Sequence, residues 1–212
     1  MILDWLRRGR GEPDRWVVLD VESTGLDPTR DRLLAIAAVA VHRAGDALQI
    51  ALADSFEAVL RHQSDRADKA NILLHGIGVA AQRAGAEPAR VLRRFSDWAG
   101  AAPRFGFHVA FDRALIERAE REHLGRRSAA RWLDVEPLAA IAHPDVKARA
   151  LDEWMTHFDI HCLQRHQAAA DALATAELLL RLWPRLRQET GGRLAALIRL
   201  EANRRWVAGT AP

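Results

Sequence analysis

The run Trp16-Val17-Val18-Leu19-Asp20-Val21 restricts the fold more than any other stretch of the chain. It is apolar and β-branched, too short for a helix, and closed by the turn residues Ser23-Thr24-Gly25, so it reads as a buried strand. Side chains two apart on a strand share a face, which sets the carboxylates of Asp20 and Glu22 side by side. Like charges at the end of a buried strand repel each other and cost stability. A bound divalent cation would remove that cost, and hard cations such as magnesium take oxygen ligands. The competing reading is a strand whose last residues emerge into solvent.

Two further segments carry acids. Pro103 to Phe107 reads as a short strand, and Phe111, Leu115, Ile116 and Ala119 follow with helical spacing. Asp112 therefore falls in the first turn of a helix beginning at the mouth of the sheet, where a carboxylate also complements the helix dipole. Ala168 to Leu182 is an amphipathic stretch, and Asp171 lies in it among small alanines that permit close approach of another element. His166 stands five residues upstream, about one and a half helical turns away, so both side chains can face one cavity.

Together the three segments resemble the three exonuclease motifs of the DEDDh family, which includes the proofreading subunit of bacterial replicative DNA polymerase, ribonuclease T and oligoribonuclease. The Asp-x-Glu-x-Thr-Gly pattern matches Asp20, Glu22, Thr24 and Gly25. The Phe-Asp ending of the second motif matches Phe111 and Asp112, and His-x-x-x-x-Asp-Ala matches His166, Asp171 and Ala172. Leu74-His75-Gly76-Ile77 resembles a segment that many relatives carry between the first two motifs. The likeness covers residues 15 to 183. Many relatives have His-Asn where this chain has Phe107-His108, and Ser23 replaces a frequent threonine. The chain has no tyrosine, which excludes the tyrosine-using branch of the superfamily.

The resemblance implies a ribonuclease H-like α/β fold, a mixed five-stranded sheet flanked by helices, and 3′–5′ hydrolysis from nucleic acid 3′ ends, single-stranded DNA first and RNA left open, to nucleoside 5′-monophosphates. It implies two magnesium or manganese ions, ~3.5–4 Å apart as in many nucleases. Asp20 would bridge both ions, Glu22 and Asp171 would complete the first, and Asp112 would hold the second, in part through water. His166 would take the proton from the attacking water. Ser23, Thr24 and Leu26 would grip the terminal nucleotide, with Leu26 as a wedge against the last base, and His108 and Phe111 would border the same pocket. The partners implied are nucleic acid with a free 3′ end and a DNA polymerase or repair complex. The reading from a different class is a catalytically inactive nucleic-acid-binding accessory module, separated from the enzyme by completeness of the five-residue set, all of which is present.

Composition agrees with this without establishing it. The net charge is only +3 although the pI is near 9.9, and 29 of the 31 basic residues are arginine, whose planar fork suits phosphate. A GC-rich genome accounts equally for that excess. Cys162 is the only cysteine, which excludes an intrachain disulfide and fits a reducing cytoplasm. No apolar run approaches the ~18 residues of a membrane span, and the short, charged start lacks the core of a signal peptide.

The expected organisation is an N-terminal helix and linker over 1–15, an exonuclease domain over 16–185 and a C-terminal helix over 186–212, packed on the domain or extending it. Arg32–His42 and Leu48–Leu60 read as a hairpin turned at Ala44-Gly45-Asp46, and 61–71 as a surface loop. Helices are expected near 88–99, 111–123, 149–158, 168–183 and 190–205, with a strand near Trp132–Val135 and an apolar last-helix face of Leu194, Leu197, Ile198 and Val207. His157, His161, Cys162 and His166 form a competing zinc constellation, weakened by the helix end at Phe158-Asp159-Ile160 and the lack of a second cysteine pair.

Overall fold

The computed structural model describes residues 13–63 and 69–209. In chain order the elements are β1 (Arg15–Ser23), β2 (Leu33–Ala44), β3 (Ala47–Val59), α1 (Lys69–His75), α2 (Val79–Ala84), α3 (Pro88–Ala99), β4 (Arg104–Gly106), α4 (Ala110–Leu124), β5 (Trp132–Asp134), α5 (Val135–Ala142), α6 (Leu151–Phe158), α7 (Ala168–Thr190) and α8 (Leu194–Gly209). The five strands form one mixed sheet in the order β3-β2-β1-β4-β5, with eight helices among the described residues. The α/β, ribonuclease H-like architecture expected from the sequence is the one observed.

β1 is central because it is apolar on both faces. Trp16 and Val18 join one core with α5, α6, α7 and the start of α8, where Trp16 stacks on Phe105 at 4.9 Å and meets Trp183 edge-on at 5.2 Å. Val17, Leu19 and Val21 join the other core, with Phe95 of α3 and Leu115 and Ile116 of α4. β1 runs antiparallel to β2, with Asp20 opposite Ala37, and parallel to β4, with Val18 opposite Phe105. β4 and β5 are also parallel, with Gly106 opposite Asp134. The carboxyl ends of β1, β4 and β5 therefore open on one edge, where open α/β sheets bind their ligands. Gly106 lets β4 lie close there, since a Cβ on it would sit 2.8 Å from Val109 and 3.1 Å from the Leu19 carbonyl.

Several elements differ from expectation. α7 continues through Pro184 to Thr190, past the break expected after residue 183, and so runs through the boundary drawn at 185. Proline removes one helical hydrogen bond, but the buried Trp183 and Leu186 hold the continuation against the core. α5 was not expected; its eight residues, capped by the Asp134 side chain on the Glu136 N–H at 3.2 Å, bury Val135, Leu138, Ala139 and Ala142. The loop expected over 61–71 yields to α1 at residue 69, followed by α2. Of the N-terminal helix and linker, residues 1–12 lie outside the described residues and Arg15 already belongs to β1. Leu194 and Leu197 of α8 are buried in the first core and Ile198 packs against it, while the side chain of Val207 lies outside what is described. Among the described residues no helix is long and apolar enough to cross a membrane.

Candidate active site

Alternation along β1 puts Asp20 and Glu22 on the face of Trp16 and Val18, toward α7. The Glu22 carboxylate accepts a hydrogen bond from the Ala168 N–H, the first amide of α7, and Asp171 lies one turn further along that helix. Small residues allow this approach: Ala168 and Ala172 are buried against the strand side. Asp112 comes from the other layer of the sheet, in the first turn of α4, and its carboxylate accepts from the Val21 N–H, between the two acids of β1. Four carboxylates from three segments thus meet at the carboxyl end of the sheet.

Their electrostatics record the crowding. The Asp20 carboxyl is held well above the usual carboxylate range by burial first, then by Asp112, Glu22 and Asp171. Its residue is half-exposed by surface, yet the carboxyl itself is enclosed by protein atoms. Glu22 is pushed up from 4.5 to about 8, by desolvation first and then by Asp171. Burial also raises Asp112, reinforced by Asp134. Asp134, which sequence reasoning did not single out, caps α5 and accepts the His108 N–H at 2.9 Å. A capping aspartate just before an apolar helical run was its available signal.

Oxygen donors of this kind fit a hard divalent cation. The clearest mark is Glu22 Oε1, a buried oxygen without a hydrogen-bond partner. Among the described residues no three His, Cys, Asp or Glu side chains converge at ligand distance as they stand. A cation of the chain itself lies among them. The Arg165 guanidinium bonds Asp171 through Nη1 and Asp152 of α6 through Nε at 2.5 Å, and its charge lowers both Asp20 and Glu22. Arg165 was missed because its importance depends on a loop conformation, not on a motif position.

His166 does not join the carboxylates in this arrangement. It precedes α7 with φ of 61°, in the left-handed region, and is not in helical continuity with Asp171 as the spacing had suggested. Its backbone N–H donates to Asp171 Oδ2 at 3.1 Å, while the imidazole is exposed and close enough to Asp152 to lower that carboxyl. The other members of the zinc constellation have separate neighbours: His157 packs on Phe158 and His143, His161 lies 3.5 Å from Asp159, and Cys162 Sγ is 3.9 Å from Asp171.

The turn after β1 is braced from within. Ser23 Oγ donates to the Gly25 carbonyl at 2.6 Å, and Thr24 Oγ1 donates to Asp31 at 2.9 Å while accepting the Arg32 N–H. A side chain at Gly25 would meet the Asp31 carboxylate at 2.5 Å, which explains the glycine. Both hydroxyls thus shape the turn, and Leu26 at its tip is 88% exposed. Asn71 of α1 donates to the Thr24 carbonyl at 2.5 Å, and with His75 and Thr24 it lines a cavity of about 290 Å³. Phe111 is half-buried beside Asp112, whereas His108 is exposed with φ of 54°. Asparagine and histidine are both enriched at positive φ, a backbone reason for either residue there.

The class this sheet edge defines is that of the acid-lined nucleic-acid hydrolases, and the comparisons name it. The family model described as Exonuclease, of the ribonuclease T type, matches residues 17–179. The chain belongs to that exonuclease family. It is 31% identical over 173 residues to the PolC-type DNA polymerase III of Bacillus subtilis, covering 81% of this chain and 12% of the polymerase. It is 32% identical over 176 residues to a DNA polymerase III subunit epsilon-like protein of Rhodobacter capsulatus, covering 81% of this chain and 24% of that one. The fold is similar to E. coli exonuclease I in complex with a dT13 oligonucleotide, with a TM-score of 0.69 at 18% identity, over 88% of this chain and 46% of that one. The chain thus spans a quarter or less of these two curated relatives.

Proposed function

We propose that this chain is a DEDDh-type 3′–5′ exonuclease that removes nucleoside 5′-monophosphates from single-stranded nucleic acid, DNA first. The carrying observation is the mutual repulsion of Asp20, Glu22, Asp112 and Asp171 at one end of the sheet, with Glu22 Oε1 buried and, among the described residues, unpartnered. These four residues would hold two magnesium or manganese ions. Bound there, such ions would supply an activated water and offset charge on the attacking and leaving oxygens of the phosphodiester. The chain's own part is to keep the four acids together and to orient the terminal nucleotide against the exposed Leu26, with Phe111 and His108 beside it. His166 would accept the proton of the attacking water once the 159–167 loop turns its imidazole inward. A polymerase or repair complex in the cytoplasm is the setting we infer.

One observation favours a second reading, a nucleic-acid-binding accessory module without chemistry: Arg165 lies on Asp171 and His166 lies outside. Offering matched single-stranded DNA, duplex DNA and short RNA with manganese separates the two. Release of 5′-monophosphates that stops on chelation supports the enzyme. Binding without cleavage of any of the three supports the module.

A further inference from the structure

Beyond the carboxylates, a groove of about 570 Å³ opens between the turn at Pro28-Thr29 and one face of α4. Its α4 wall runs from Ala110, two residues before Asp112, to Arg121. Those twelve residues of helix rise roughly 16 Å, enough for several phosphates, which lie ~3.4 Å apart along one duplex strand and wider when extended. Arg113, Arg118 and Arg121 line that wall, and Trp132 of β5 forms part of the far side. We propose that this groove carries the single-stranded polynucleotide upstream of the terminal nucleotide; the proposal rests on the exonuclease reading and names where its substrate lies.

Three observations support it. The charge of the wall is surplus. Three arginines line it against one acid, Glu117, which already answers Arg113, at 2.7 Å, and Arg127, at 3.4 Å; Arg118 reaches Glu122 only at 3.8 Å, and Arg121 donates through Nε to the Glu117 carbonyl at 3.2 Å. Arg118 is near enough to Asp27 to lower that carboxyl, which ties the groove to the turn bearing Leu26. Arg118 and Arg121 are like charges three apart on one helix, which an isolated helix disfavours. The aromatic surface is also held flat. The Arg104 guanidinium is fully buried between Trp132, at 5.0 Å, and Phe95, at 4.9 Å, so the Trp132 ring is supported from inside while its remaining edge borders the groove. Arginines that follow a backbone, beside an aromatic platform for bases, are the means by which single strands are bound without sequence preference.

Fluorescence anisotropy with a labelled oligothymidylate of about 15 nucleotides tests this in an Asp20→Asn background, where binding is read without cleavage. The Arg118→Ala/Arg121→Ala pair should weaken binding at least about tenfold at low salt. It should also flatten the slope of log affinity against log salt by about 1.4, which is ~0.7 per charge removed on a single strand. The corresponding lysine pair should keep the slope, and Glu117→Gln should bind more tightly with a steeper slope. A folded alanine pair that retains native affinity and slope overturns the proposal, and so does absence of binding by the parent. If the alanine pair does not fold, an unchanged slope in Glu117→Gln overturns it alone. Absence of cleavage by the native protein with manganese, alongside intact binding by the Asp20→Asn parent, would instead remove the exonuclease reading and leave the groove standing.

Discussion

Glu22→Gln is the substitution in which the stored repulsion of the site can be read directly. In the metal-free protein the Glu22 carboxyl is pushed from 4.5 to about 8 by desolvation and by Asp171. Unfolded, it ionises near its ordinary value; folded, it keeps its proton to the higher one. Folding therefore takes up a proton between the two, and stability falls as pH rises from about 4.5 to about 8. Each pH unit across that window is worth ~1.4 kcal/mol, about 5 kcal/mol for a fully enclosed group. Partial exposure and solvent screening reduce this to roughly 2 kcal/mol. Glutamine keeps the acceptor for the Ala168 N–H and carries no charge. Without metal, Glu22→Gln should match the native protein near about pH 5 and melt roughly 4–8 °C higher near about pH 9. Manganese should reverse the order. An ion bound at a hundredfold excess over its dissociation constant stabilises by ~2.7 kcal/mol, and the variant has lost a ligand. Native affinity should also climb with pH as Glu22 gives up its proton, with protons released on binding. Differential scanning calorimetry across that pH range, with chelator and with manganese, measures both effects. Parallel melting curves for the two proteins at every pH, or an undiminished manganese shift in the variant, would show that Glu22 is neither strained nor a ligand.

Three other outcomes are expected. Arg165→Ala should bind manganese on the order of tenfold more tightly by titration calorimetry, ~1.4 kcal/mol, and its metal-free amide exchange over 159–167 should match that of the metal-loaded native protein; native affinity and native exchange would sink the role given to Arg165. His166→Ala should lower turnover by about 10²–10⁴ with manganese binding retained, while His157→Ala and His161→Ala stay near native rates. Equal damage from His157→Ala together with zinc release would remove His166 as the base. Asp20→Asn should abolish hydrolysis in a protein that melts no lower without metal, and a 3′-phosphorylated or circular strand should resist the native enzyme; rapid nicking of a closed circle would mean an endonuclease.

What could be read in advance follows the range of the forces involved. β1 and the β2–β3 hairpin were legible because alternation and turn chemistry are local, and the placing of Asp20 beside Glu22 follows from strand geometry alone. Asp112 and Asp171 were legible only by resemblance, since they reach the site from opposite layers of the sheet. The continuation of α7 past Pro184 was hidden because burial of Trp183 and Leu186 outweighs a local breaker. α5 was hidden because its eight residues, six of them aliphatic, are too few to show a periodicity that separates a helix from a strand. Asp134 and Arg165 were hidden because no local pattern marks their contacts: Asp134 acts through the His108 N–H, far off in sequence, and Arg165 through a loop conformation that lays it on Asp171.

Arg165 also bears on how four acids can be held together at all. Their repulsion is reduced in two ways, by protons that Asp20, Glu22 and Asp112 retain above their ordinary range and by one guanidinium among them. A divalent ion bound there would replace both, since its ligands must lose their protons and its charge would compete with the guanidinium for Asp171. The same guanidinium ties the 159–167 loop to Asp152 of α6. Releasing it from Asp152 as well as Asp171 would free the loop that carries His166, whose left-handed backbone and exposed ring belong to the tied arrangement. Loading of the carboxylates and inward movement of His166 would then be coupled through one side chain. In the proposed enzyme the acids and the base would be assembled together, with neither in place for hydrolysis before the other.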